Sequence, residues 1–328
     1  MAKAIPRGLS RTFRSHKFTT SAPVAGLAYE SFIPHGFQVG HQNNNGRTMV
    51  MTHGILGSKR NWRTPANLLA KTQPGIKVLT VDHRGHGNSH GAFLTDSNHT
   101  VDACAMDLEE TILSDMEEGG GDVDILSGHS FGGKVVLQLL KRRIEEGVPL
   151  PEHTWVLDSL PCEYDDTSVS ENSQESVVAI FDNLRDVKTP FPSTQYAIEA
   201  LMDKGISLPI AQWLTSSVRP LDGHGQDMLT WGFDLDVAAE LFQDFARLDM
   251  WEFVKSFDGA GKTKDGKDAY LHFVRAGRNP LWTDRELAKF ESVTDQNKFV
   301  QLHTMPDVGH WLHVEDVQGL VHLLTKEI

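Results

Sequence analysis

Cysteine is scarce in this chain of 328 residues, which holds only Cys104 and Cys162. Neither sits in a C-x-x-C pair or in a Cys/His spacing suited to zinc. The sequence therefore offers no disulfide framework and no metal site, and Cys104 reads as a small core residue. Long apolar runs are missing as well, and none approaches the ~20 residues needed to span a bilayer. No internal repeat or heptad array is present. Basic residues are outnumbered, 31 against 44 acidic, and the net charge of −13 argues against nucleic acid as a general partner. Residues 1–29 show the opposite deficit. They contain Lys3, Arg7, Arg11, Arg14 and Lys17 and no acid at all. Basic, rich in Ser and Thr and without a long apolar stretch, this segment has the composition of an organelle transit peptide rather than a secretory signal. The alternative is a disordered basic tail on a cytoplasmic protein.

What remains is an alternation of short β-like runs with helical patterns, the signature of a parallel sheet wrapped by helices. "TMVMTH", "KVLTVD", "VDILSG", "TWVLDS", "YLHFVRAG" and "KFVQLH" read as strands, with "LAYESFIP" as an earlier antiparallel edge and "NNNG" as a turn. Helical periodicity fits "WRTPANLLAKT", "VDACAMDLEETILSDMEEG", "GGKVVLQLLKRRIEEG", "TDRELAKFESV" and "VEDVQGLVHLLTKEI". The alternation stops between "VLDSLP" and "YLHFVRAG". The helical patches "SVVAIFDNLRDV", "TQYAIEALMDKG" and "PIAQWLTSSV" there read as an inserted cap over residues 163–260, after the sixth strand, on a core of residues 28–162 and 261–328.

Four motifs stand where open α/β sheets gather their sites, at the C-terminal ends of predicted strands. They are "HGILGS" (53–58), "DHRGHGNS" (82–89), "GHSFGG" (128–133) and "PDVGHWLHVE" (306–315). In the third, Ser130 stands between Gly128 and Gly132 at a strand-to-helix junction. A sharp turn there points the serine outward, and neighbours two residues away must be small to avoid collision. An ordinary N-cap serine at a glycine-softened helix start is the plainer reading of that motif alone.

Taken together the motifs resemble the α/β-hydrolase family, from about residue 28 to the end. "HG-x-x-G-S-x-x-N-W", "D-x-R-x-H-G-x-S", "GHS-x-GG" and "VLDSLP" narrow the resemblance to YbfF-type esterases and their mitochondrial relatives of the abhydrolase domain-containing protein eleven type. The resemblance implies an α/β-hydrolase fold, a mostly parallel sheet flanked by helices with a helical lid. It also implies hydrolysis of esters or thioesters, and mitochondrial import agrees with the basic N-terminus. Ser130 is then the nucleophile and His310, in the loop after the last strand, its base, in the chain order Ser, acid, His. His53 and His86 belong to turn motifs with structural roles, His303 to a strand, and His313 and His322 to the terminal helix. The backbone N–H groups of Phe131 and Ile55 are the expected oxyanion donors.

The acid has two candidates. Many α/β-hydrolases place it in the turn after the strand that reads "YLHFVRAG" here, but Asn279 occupies that turn, and an amide cannot stabilise an imidazolium as a carboxylate does. Asp284 is nearby at a helix start. Asp158 ends "WVLD" on the same rim as Ser130, and the YbfF-type resemblance also implies an acid there, so Asp158 is the expected acid. Asp82 and Arg84 are expected to brace their loop as a buried ion pair. The tryptophans Trp62, Trp213, Trp231 and Trp311 either line an apolar pocket or simply pack. The function expected is hydrolysis of a small-to-medium acyl substrate, a small molecule, with no cofactor. C–C bond hydrolysis on the same triad and a non-catalytic ligand-binding protein are the alternatives. A dehalogenase is disfavoured, because it would carry Asp in place of Ser130.

Overall fold

The computed structural model describes residues 26–34, 37, 46–91, 98–117, 122–164, 176–222 and 228–326. The expected transit segment and the "NNNG" turn lie outside these, apart from Gly26, Leu27 and Gly46. A seven-stranded sheet forms the centre. Its strands are β1 (Tyr29–Phe32), β2 (Arg47–Thr52), β3 (Ile76–Val81), β4 (Val123–His129), β5 (His153–Leu157) and, numbered after the insertion, β8 (Tyr270–Ala276) and β9 (Val300–Met305). Their order across the sheet is β1-β3-β2-β4-β5-β8-β9. Only β1 is antiparallel, paired to β3 from Tyr29–Val81 to Phe32–Val78. Every other pairing is parallel, so the carboxyl ends of β2, β4, β5, β8 and β9 share one rim.

Alternation along the strands divides the core in two. Met49 and Met51, Ile125, and Trp155 and Leu157 point to one face. They meet Ala66 and Leu69 of α1 (Arg63–Thr72) and Leu320, Val321 and Leu324 of α11 (Val317–Lys326). Val50, Leu126 and Val156 point to the other face. They meet α2 (Val101–Glu117), which carries the buried Cys104, and α3 (Phe131–Glu146). Both faces of the sheet are thus covered, as a parallel sheet requires.

The chain leaves the sheet after β5. That is the fifth strand among the described residues rather than the sixth, because only β1 precedes β2 there. The insertion holds α4 (Val177–Asp186), α5 (Thr194–Met202), α6 (Leu208–Thr215), a two-stranded ribbon of β6 (Arg219–Pro220) and β7 (Leu229–Thr230), α7 (Leu235–Arg247) and α8 (Trp251–Ser256). The sequence patterns named only α4 to α6. Asp234 caps α7 by accepting from Asp236 N and Val237 N, and six apolar side chains of α7 are buried. The chain then closes with β8, α9 (Asp284–Thr294), β9, α10 (Leu312–Glu315) and α11.

One buried charge fastens the insertion to the sheet. Lys134, on the second turn of α3, is fully buried. Its ammonium donates to Cys162 O at 2.7 Å, Phe245 O at 2.8 Å and Leu248 O at 2.7 Å. Phe245 and Leu248 end α7, where helix carbonyls lack intrahelical donors and favour a cation. The Phe245 ring also lies 4.3 Å from the ammonium. Burial pulls the lysine pKa down to about 8, while an ammonium alone supplies a donor to all three carbonyls. Lys134→Met keeps the aliphatic bulk and leaves three buried carbonyls without this donor. At about 1–3 kcal/mol for each group left unsatisfied, a stability loss of at least about 3 kcal/mol is expected. Urea unfolding of the variant checks this, and a loss under about 1 kcal/mol would show the clamp to be dispensable.

Candidate functional site

The strand-to-helix turn holds Ser130 at φ 53° and ψ −116°, a region that non-glycine residues seldom enter. Contacts on both sides hold it there. Ser130 N donates to Leu157 O at 2.9 Å, and Gly133 N donates to Ser130 O at 2.8 Å. A Cβ on Gly128 would stand 2.0 Å from Gly132 O, and one on Gly132 would stand 2.5 Å from Thr52 Oγ1. These two approaches are the steric reason for glycine on either side of the serine. The turn reading of "GHSFGG" therefore holds over the plain N-cap. Ser130 caps no N–H of α3 with its hydroxyl.

The HGILG loop lies directly against this turn. A Cβ on Gly54 would come 3.2 Å from the Ser130 Cβ. Leu56 has φ 61°, and its N–H donates to His86 Nε2 at 3.1 Å, which fixes the loop's course. The Ile55 N–H donates to no acceptor among the described residues, and Phe131 opens α3, where no intrahelical acceptor exists. Two uncommitted backbone donors thus flank Ser130.

Asp158 directly follows β5, at φ 48°, with its side chain fully buried. Its Oδ2 lies 2.7 Å from His310 Nδ1. Three further donors complete its shell. Ala276 N reaches Oδ1 at 2.9 Å, Trp282 Nε1 reaches Oδ1 at 2.7 Å, and Asn279 Nδ2 reaches Oδ2 at 2.6 Å. Asp284 is exposed on α9 and makes no hydrogen bond to His310 among the described residues. Of the two candidate acids, Asp158 makes the contact with the histidine. No hydrogen bond of ordinary length joins Ser130 Oγ to His310 among the described residues. His129, which precedes Ser130 in the chain, ties the histidine loop to this turn, its Nε2–H donating to His310 O at 2.8 Å. Glu315 shapes the same loop, accepting from Gly309 N at 3.0 Å and from Arg278.

The expected Asp82–Arg84 brace is divided between other partners. Asp82 accepts from the Lys59 ammonium, from Lys59 N at 2.7 Å and from Asn88 N at 2.8 Å. Arg84 forks onto Asp107 of α2 at 2.7 and 2.8 Å. The tryptophans separate by role. Trp62 is buried 4.9 Å from His313, and Trp231 stacks on Phe233 at 5.7 Å, so both pack. Trp213 of α6 meets Trp311 at 5.6 Å, and Trp311 lies 5.8 Å from His310. That pair lies where the insertion meets the histidine loop. Sequence reading missed His129, Asn279, Trp282 and Lys134 as contributors. Asn279 was visible only as a missing carboxylate.

A family model described as the alpha/beta hydrolase family matches residues 49–323. The chain belongs to the α/β-hydrolase family. Among its relatives, sn-1-specific diacylglycerol lipase ABHD11 of Mus musculus is 24% identical over 85% of this chain and 80% of its own. The protein of the same name from Danio rerio is 25% identical over 94% of this chain and 84% of its own. In structure, a marine microorganism esterase superposes with a TM-score of 0.66 at 19% identity, covering 93% of this chain and all of its own. This last likeness concerns the fold. Among the described residues no helix is long and apolar enough to cross a membrane.

Behind the turn lies a nest of buried histidines, His53, His83, His86, His129 and His313. Partners fix several tautomers. His53 Nδ1–H donates to Gly54 O at 2.8 Å and its Nε2 accepts from His83 N at 3.1 Å, while His86 Nδ1–H donates to Arg84 O at 2.9 Å. Burial, then for most of these rings repulsion from neighbouring histidines, pushes every pKa down, His313 to about 3. Across the sheet, burial likewise takes His272 to about 2. These rings are neutral when folded, and in the unfolded chain they take up a proton near pH 6.5. Their contribution to stability is therefore complete above about pH 6.5 and lost as pH falls below it, by up to about 1.4 kcal/mol per ring per pH unit. Urea melts at pH 7.5 and 5.5 should differ by several kcal/mol. Carboxylates titrate mainly below this window, so a flat profile would mean that the rings are not held neutral.

Proposed function

We propose that the chain is a serine hydrolase of carboxylic esters or thioesters, working through Ser130, His310 and Asp158. The observation that carries this is the Asp158–His310 contact on the rim where Ser130 projects from its strained turn. In this reading His310 takes the Ser130 proton as the hydroxyl attacks the acyl carbonyl. Asp158 holds the ring in the tautomer with Nδ1–H and stabilises the imidazolium that forms. The N–H groups of Ile55 and Phe131 receive the oxyanion. His310 then protonates the leaving alcohol or thiol. Water, activated by the same ring, releases the acid from the acyl-enzyme. The lipase name of its relatives supports acyl-ester chemistry over C–C cleavage or ligand binding.

Activated p-nitrophenyl esters test this directly. Ser130→Ala and His310→Ala should each lower kcat by several orders of magnitude, because the pair acts as a unit. Asp158→Asn should lose on the order of 10³ to 10⁴ while folding normally, and Asp284→Asn should stay near wild type. A Ser130→Ala variant retaining a tenth of the activity would sink the reading.

The insertion between β5 and β8 serves as a lid in this reading. The Trp213–Trp311 contact is where this lid meets the histidine loop. Trp213→Ala should change the ratio of kcat/KM between octanoyl and acetyl esters by about tenfold, a typical discrimination for apolar pocket contacts. Equal effects on short and long chains would remove Trp213 from the acyl path.

A further inference from the structure

Asn279 is nearly buried, and both ends of its amide are committed. Its Oδ1 accepts from Leu281 N at 3.0 Å, and its Nδ2 donates to Asp158 Oδ2 at 2.6 Å. The oxygen bonded to Leu281 leaves the nitrogen, and not the oxygen, facing the carboxylate, which fixes the amide's orientation. Asp158 Oδ2 is the same oxygen that faces His310 Nδ1 at 2.7 Å. The Asn279 backbone is tied down too, with its N donating to Ala276 O at 3.1 Å and its O accepting from Trp282 N at 3.3 Å. Residues 158 and 279 follow β5 and β8, which pair from His153–Tyr270 to Leu157–Val274. They are thus facing seats at the ends of neighbouring strands.

We infer that Asn279 is a positioning residue for the triad acid. Its amide grips the working oxygen of Asp158 and sets the carboxylate's angle toward His310, and it does so without a charge of its own. A cation in that seat would compete with the imidazolium for the carboxylate. A second carboxylate would face the first at hydrogen-bond distance and repel it. A neutral donor with its own oxygen anchored avoids both. The inference rests on the proposed triad. It carries a consequence that a merely structural asparagine would not. If Asn279 acts only through Asp158, removing it costs activity while the carboxylate is present and nothing further once residue 158 is an amide.

The test uses the full chain and p-nitrophenyl ester hydrolysis, with urea melts to verify folding. Asp158→Asn should lose about 10³-fold or more in kcat. Asn279→Asp should lose activity through carboxylate repulsion. In the Asp158→Asn background a further Asn279→Ala should cost nothing, so D158N/N279A should stay within about twofold of Asp158→Asn, a non-additivity that marks direct coupling of the two sites. A folded double variant about tenfold less active than Asp158→Asn overturns the role of Asn279 and leaves the triad standing. An Asp158→Asn variant near wild type overturns both. Asn279→Ala alone is the other half of this cycle, and it decides should the double variant fail to fold. It should lower kcat about tenfold at unchanged KM, and an unchanged kcat overturns the inference.

Discussion

Everything at the rim depends on how closely the backbone packs at the turn from β4 to α3. Gly128 and Gly132 leave no room for even a methyl group, and Gly132 faces the end of β2 at Thr52 and His53. This proximity makes Ser130 protrude. It also brings the Gly54 loop against the serine and lets a free N–H from each side converge there. The strain of a non-glycine residue at φ 53° is of order 1–3 kcal/mol, and the packed elements around it must hold it in place. That packing includes the neutral histidine nest, which fills the space behind the turn with rings that hydrogen-bond to backbone rather than carry charge.

The carboxylate facing the histidine comes from the end of β5, and the geometry around it explains why this seat works. Its four hydrogen-bond partners arise from two separate stretches: Ala276, Asn279 and Trp282 at and just after the end of β8, and His310 after β9. Parallel pairing of β5, β8 and β9 delivers all of them to one edge. Once the sheet order is set, the acid's surroundings follow from the register.

Much of this was legible beforehand. The strands were readable because alternating or continuous apolar runs ended at Gly-rich motifs, and Ser130 and His310 were readable from those motifs. Asp158 was chosen over Asp284 partly because Asn279 left its own turn without a carboxylate. Other features were hidden for physical reasons. Lys134 sits in the run "GGKVVLQLL", and its partners lie 28, 111 and 114 residues away, beyond any local pattern. The Asp82–Arg84 pairing looked natural at two residues' separation. Yet Asp82 turns toward the Lys59 backbone and Arg84 toward α2, because each finds better-directed partners across the core. The terminal helix read as continuous, but it breaks at Asp316, with φ −142°. That break lets Glu315 turn back to hold Gly309.

The clamp at Lys134 has a mechanical consequence. It seizes the inserted segment at its two roots, at Cys162 where the chain leaves the core and at Phe245 and Leu248 where it prepares to return. Two backbone bonds beside it, Tyr164 N to Ala246 O at 2.8 Å and Met250 N to Pro161 O at 2.6 Å, rivet those roots to each other. At α6 the insertion meets the histidine loop through the aromatic pair Trp213 and Trp311, whose contact has no polar component to break. Such a segment is pinned by ammonium and peptide at its roots and again beside the turn that carries His86, where Gly87 N donates to Gly232 O and Asp234 N donates to Gly85 O, both at 2.7 Å. The indole pair adds no backbone hydrogen bond to this set, so loosening it leaves the other anchorages of the insertion in place.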